Sequence, residues 1–173
     1  MTEVTRERAL ETVDEGDRSV EALTAGLADD ELERPGTIGG GDWSAKDLLG
    51  HLTQWEEFAL EAIDAWRRGE VPFVEATPKG VDDLNADAVA AKADRSPRDI
   101  RTEAREVHDR LLAAMRGMSD DEWRSPAPVD AGDRRTLSAF LGGVLGAPQR
   151  PFGHVYAHLA DLEAFARSVG SQA

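Results

Sequence analysis

The sequence predicts an all-α protein, a four-helix bundle in outline, with long crossover connections and one or two short extra helices. Apolar residues recur at three- and four-residue spacing nearly throughout, few segments alternate as a strand would, and capping residues stand where the apolar rows begin. The first helix spans about residues 5–27, with Val13, Val20, Leu23 and Leu27 on one stripe. Pro35, Gly36 and the glycines at 39–41 end that region. Ser44 and Asp47 make a capping box, so a long second helix follows to about residue 68. Its apolar face takes Leu48, Leu52, Trp55, Ala59, Ala62, Ile63 and Trp66.

Gly69, Pro72, Pro78 and Gly80 then interrupt the pattern, leaving a long crossover with room for a short helix over residues 84–93. Ser96 as cap and Pro97 at the first helical position open the third helix, which Gly117 stops. Ser119 caps a short helical turn before Trp123, and Pro126, Pro128 and Gly132 mark a loop before a small apolar segment at 137–145. Pro148 and Pro151 precede a final helix over about 152–169, with Val155, Leu159, Leu162, Ala166 and Val169 on its stripe. No repeat period interrupts this order, so one bundle domain over residues 1–173 is expected.

Composition narrows function by exclusion. The chain has 173 residues and no cysteine, which removes disulfide frameworks, thiolate metal sites and thiol nucleophiles; a reactive thiol must come from a cofactor. With 34 acidic against 20 basic residues the formal charge is -14, which argues against nucleic acid and anionic membranes as partners. No stretch approaches a spanning helix, and Glu3, Arg6, Glu7 and Arg8 deny the amino terminus the apolar run of a signal peptide. A cytoplasmic protein is expected, with a small molecule as substrate or ligand and a homodimer formed through an apolar helix face.

Four histidines carry the chemistry: His51 on the second helix, His108 on the third, and His154 and His158 four residues apart on the last. An i, i+4 pair on a helix presents both imidazoles on one face. His51 and His158 lie close to the apolar stripes of their helices and His154 at a margin, so three nitrogen donors face one interior. Bundles build metal sites this way, and three histidines leave a coordination position open. Buried histidines bonded to carbonyls or carboxylates would show the same pattern. His108, on the apolar side of its helix, reads best as a satisfied core residue, with a fourth ligand or a proton shuttle as the other possibilities.

The stretch Asp42-Trp43-Ser44-Ala45-Lys46-Asp47-Leu48-Leu49-Gly50-His51-Leu52, followed by Trp55 and Glu56, resembles the second-helix signature of the DinB/YfiT-like superfamily. Gly153-His154-Val155-Tyr156-Ala157-His158-Leu159 is similar to its second histidine motif, and residues 81–122 resemble the relatives grouped with colibactin self-protection proteins (ClbS and DfsB). The resemblance implies a divalent metal, nickel or zinc, held by His51, His154 and His158. It further implies a metal-dependent hydrolase or thiol-dependent transferase acting on a small molecule in stress or detoxification. The alternative is a non-catalytic binding or self-protection protein of the same fold. Thiol-dependent transferases and maleylpyruvate isomerase look similar in the metal-binding half.

Trp55, His108 and Tyr156 are candidates for the pocket walls, and Glu56 and Asp161 for carboxylates that orient a liganding imidazole. Acidic runs such as Asp29-Asp30-Glu31 read as solvated caps, not as a glycosidase pair. The triple glycine lacks the lysine-serine ending of a phosphate loop, and no Gly-x-Ser-x-Gly occurs.

Overall fold

The structure, a computed structural model, describes residues 4–38, 41, 43–127 and 135–170. Gly39, Gly40, Asp42, Pro128 and Gly132, which carry parts of the expected loops and of the first motif, lie outside the described residues. Helix α1 (Arg6–Thr24) starts where the Thr5 hydroxyl accepts the Arg8 amide, 3.3 Å away. It stops one turn earlier than the apolar stripe implies. The Thr24 hydroxyl donates back to the Val20 carbonyl, and Arg101 donates to the carbonyls of Thr24 and Leu27 at 2.6 and 3.1 Å. Leu27 still reaches the core. Helix α2 (Asp29–Leu32) forms within the acidic run and buries Leu32.

Helix α3 (Ala45–Arg68) opens on the expected capping box: the Ser44 hydroxyl accepts from the Asp47 amide, and the Asp47 carboxylate accepts from the Ser44 amide at 2.9 Å. Gly69 ends it in the left-handed region (φ 71°), where the lack of a Cβ removes the strain. Short helices α4 (Phe73–Ala76) and α5 (Val81–Lys92) fill the crossover. Helix α6 (Pro97–Arg116) starts at the Ser96 cap. Helices α7 (Asp120–Trp123) and α8 (Leu137–Val144) follow, α8 capped by Thr136.

The final helix needs correction. Residues 152–158 are not helical in the α sense: a 3-10 turn, Val155–Ala157, comes first, and α9 (Leu159–Gly170) begins only after His158. The cause lies upstream. Gln149 and Phe152 both take positive φ (64° and 61°), and the Phe152 and His154 amides donate to the carbonyls of Gly142 and Leu145. These bonds to the end of α8 fix a chain direction that a regular helix from Phe152 would not keep.

The apolar residues fall into two clusters at opposite ends. One holds Ala9 and Val13 of α1, Ala59 to Trp66 of α3, Leu111 to Met115 of α6, and α8; the other holds Val20, Leu48, Leu52, Ile100, Leu162 and Phe165. Following the long helices that pass between the clusters gives their directions: α1 runs one way, α3 and α6 the other. The parallel α3–α6 pair is what the long crossover through α4 and α5 makes possible. Helix α6 packs on both α3 and α1, and α1 packs on α9. Between the clusters lies a layer carrying Asp17, His51, Glu56, His108, His154 and His158.

Candidate metal centre

His51 reaches this layer from the middle of α3, with only 2 % of its surface exposed. Trp43 covers one side, ring centroid to ring centroid 4.8 Å, and is anchored by an isolated bridge to Ile38. His154 is placed by its amide bond to Leu145, and His158 by the 3-10 turn and by its carbonyl, which accepts the Leu162 amide in the first turn of α9. Ring centroids stand 4.8 Å apart for His51–His154 and 5.3 Å for both other pairs, a nearly equilateral triangle. One ligand nitrogen from each ring lies within 4.8 Å of the others. The spacing of four brings His154 and His158 together although a 3-10 turn, not an α-helix, carries them.

The donor set fits a divalent cation. His51 Nε2 and His154 Nε2 approach to 3.0 Å. Two nitrogens each about 2.1 Å from a shared ion lie about 3.0–3.4 Å apart, at right-angled to tetrahedral geometry. The imidazoles are held neutral, the form that ligates. Burial, reinforced by the other two rings, lowers His51 from 6.5 to about 3. Burial and His158 bring His154 to about 4. Burial also lowers His158, partly offset by the charge of Asp161. Asp161 thus acts on His158 through its field, with no hydrogen bond between them among the described contacts.

The other candidates are distributed differently. Trp55 lies edge-on to His51 and His154 at 6.4 and 5.7 Å, and its indole N–H donates to Asn85 of α5 at 2.9 Å, so it walls the site. Tyr156 is engaged elsewhere: its hydroxyl donates to the Thr12 carbonyl at 3.3 Å and its ring lies under the Arg150 guanidinium. Glu56 orients no ligand. Its carboxylate meets His108 Nδ1 at 2.9 Å, on the face of α3 turned away from His51. His108 is not among the three clustered ligands; it is a buried residue between Glu56 and Asp17. Asp17 is the polar residue the sequence reading missed, because nothing in α1 alone distinguishes it from its acidic neighbours.

A family model described as the mycothiol maleylpyruvate isomerase N-terminal domain matches residues 13–145. The chain belongs to that family. The matched span includes His51 and ends before His154 and His158. Among curated protein sequences, none matches this member significantly. Its fold is shared by an uncharacterised protein from Escherichia coli UTI89, 14% identical, with a TM-score of 0.77 over 96% of this chain and 95% of that one. The colibactin self-resistance protein ClbS, in complex with a dsDNA, is 13% identical with a TM-score of 0.66 over 96% and 94%. A histidine-to-alanine mutant of the mycothiol-dependent maleylpyruvate isomerase is 19% identical, with a TM-score of 0.63 over 83% of this chain and 59% of that one. These neighbours and the family match make the protein a member of the DinB/YfiT-like superfamily.

One expectation falls with these comparisons. The exclusion of nucleic acid on grounds of net charge does not stand, because a protein of this fold is seen holding duplex DNA. Net charge sums the whole surface, whereas phosphates are met by a local patch. Among the described residues no helix is long and apolar enough to cross a membrane.

Proposed function

We propose that this member of the mycothiol maleylpyruvate isomerase N-terminal domain family is a metal-dependent, thiol-using transferase acting on a small electrophilic molecule, in the service of detoxification. The observation that carries the reading is the triangle of three neutral imidazoles from two separate parts of the chain. His51, His154 and His158 would hold the cation, with nickel and zinc the two candidates. When bound, a divalent cation lowers the pKa of a thiol or water that reaches it. The chain has no cysteine, so the thiol is brought in, and mycothiol, from the family's description, is the first to test. Trp43 and Trp55 limit water around the ligating rings, which strengthens electrostatic interactions there. The rings, His51 buried and His154 and His158 half-buried, keep their lone pairs free of protons at neutral pH.

Elemental analysis of protein purified without an affinity tag tests the first step. Near-stoichiometric nickel or zinc is expected in the wild type and is lost in His51→Ala and His154→Ala. Mass spectrometry of mycothiol incubated with small electrophiles tests the second, with metal-dependent conjugates expected. Metal-free wild type that also fails to take up added nickel or zinc would end this reading. The likeness to a self-resistance protein favours a second reading, a non-catalytic binder of a small toxic molecule. Such a protein would keep its ligand affinity after both histidine substitutions.

A further inference from the structure

Away from the three clustered histidines, a buried histidine on α6 and the carboxylates that face it are unused by the proposed chemistry. His108, its side chain 6 % exposed, sits on α6 between two carboxylates from different helices. Its Nδ1 lies 2.9 Å from Glu56 Oε1 of α3, and its Nε2 lies 3.6 Å from Asp17 Oδ2 of α1. Nε2 is fully buried and makes no hydrogen bond, so a proton there faces Asp17 only as a longer ion pair. One imidazole therefore spans the gap between α1 and α3, which α6 separates.

Each of these helices supports one side of the metal centre, α3 by carrying His51 and α1 by seating the turn between His154 and His158. Glu56 follows His51 by five residues, about 140° around α3, so the imidazole grips the back of the helix whose front presents His51. On α1, Asp17 adjoins Gly16, against which Val155 packs: a Cβ built on Gly16 would stand 3.2 Å from that of Val155. Five residues earlier, the Thr12 carbonyl accepts the Tyr156 hydroxyl. Val155 and Tyr156 belong to the 3-10 turn, and His154 and His158 flank that turn. The two arms of His108 thus end beside the two seats of the triad.

We propose that Asp17, Glu56 and His108 form a charged brace that positions α1 and α3, setting the separation at which His51 meets His154 and His158. They are positioning residues and touch no ligand of the cation. A buried ionic cluster contributes little net stability compared with apolar replacements of the same volume, so its use lies in fixing geometry. The inference rests on the metal reading above, and its test is built to separate the two.

Metal-free full-length protein is titrated with cobalt(II), followed by visible absorption. The proteins compared are wild type, Glu56→Leu, Glu56→Gln, His108→Leu and, as the binding control, His51→Ala. Glu56→Leu and His108→Leu are expected to fold, by circular dichroism, and to bind cobalt about tenfold more weakly. Glu56→Gln, which keeps an acceptor for Nδ1–H, recovers part of that loss. Folded leucine variants with wild-type affinity overturn the brace and leave the metal reading intact. Wild type that binds no better than His51→Ala overturns the metal reading instead. Imidazole 15N spectra of the metal-free proteins decide the brace independently of cobalt and of the leucine variants. The close His51–His154 pair gives resonances expected to move in Glu56→Gln, and resonances that do not move overturn the proposal.

Discussion

His51 has one buried ring nitrogen, Nδ1, without a hydrogen-bond partner, while its Nε2 faces His154. The residue is thus placed by packing against Trp43 and by its helix, with no carboxylate to fix its tautomer. Asp17 offers the clearest pH-dependent contrast. Burial raises its carboxyl from 3.8 to about 6; His108 on α6 works against that, while Glu56 on α3 and Glu21 and Asp14 on α1 add to it. The folded state therefore binds this proton more tightly than the unfolded chain does. The associated stability is full below about pH 4 and is lost as pH rises through about 6. Asp17→Asn, a permanently uncharged stand-in, should unfold at higher urea concentration than wild type at pH 7.5. The gain is about 1–2 kcal/mol after allowance for solvent screening, and it falls steadily with pH, vanishing only below about pH 4. Equal urea midpoints at pH 7.5 would contradict the assignment. His108 shows why such residues are hard to read in a sequence. Burial alone would lower its pKa, yet Glu56, Asp17 and Asp14 together hold it above the ordinary value. That balance depends on three helices meeting, and periodicity within one helix reveals only that His108 points inward.

At the level of elements, α3 is the most legible. Its cap, apolar stripe, glycine stop and histidine all follow from local chemistry that the tertiary structure leaves undisturbed. The histidine-bearing turn is the least legible, because its direction is set by hydrogen bonds to α8, which lies before it in sequence but is joined to it by two left-handed residues. Gly16 is where α1 admits that turn. Valine there would press on Val155 and Tyr156, whose nearest atoms stand 3.2 and 3.5 Å from an added Cβ. Gly16→Val is expected to destabilise by about 1–3 kcal/mol and to weaken metal binding. Gly26 serves as control, since a Cβ there meets nothing within 4 Å, and Gly26→Ala should change stability by less than about 0.5 kcal/mol. Calorimetric unfolding of the two variants checks the contrast.

For the whole molecule, a ligand that binds only the folded state adds to its stability by mass action. Zinc at a hundred times its dissociation constant should raise the unfolding free energy by about 2.7 kcal/mol, and a chelator should remove the gain. His51→Ala should show neither change, and thermal unfolding with and without zinc measures both. The all-α class and the four long apolar stripes are legible because each helix is amphipathic in its own right. The direction of α6 relative to α3 is not, since it depends on how α4 and α5 cross the bundle. Net charge misleads at this scale: a total of -14 says nothing about where the 34 acidic and 20 basic side chains stand, so it cannot exclude a partner that a small patch would hold.

The division of the apolar residues into two clusters has a thermodynamic consequence. Each end of the bundle has its own hydrophobic support, and α1, α3 and α6 contribute to both, so these three helices couple the two ends. The three histidines lie on the seam, with His51 and the 3-10 turn supplied by segments that pass from one end to the other. Their triangle exists only while both ends are closed together, so a cation held there would oppose the opening of either end.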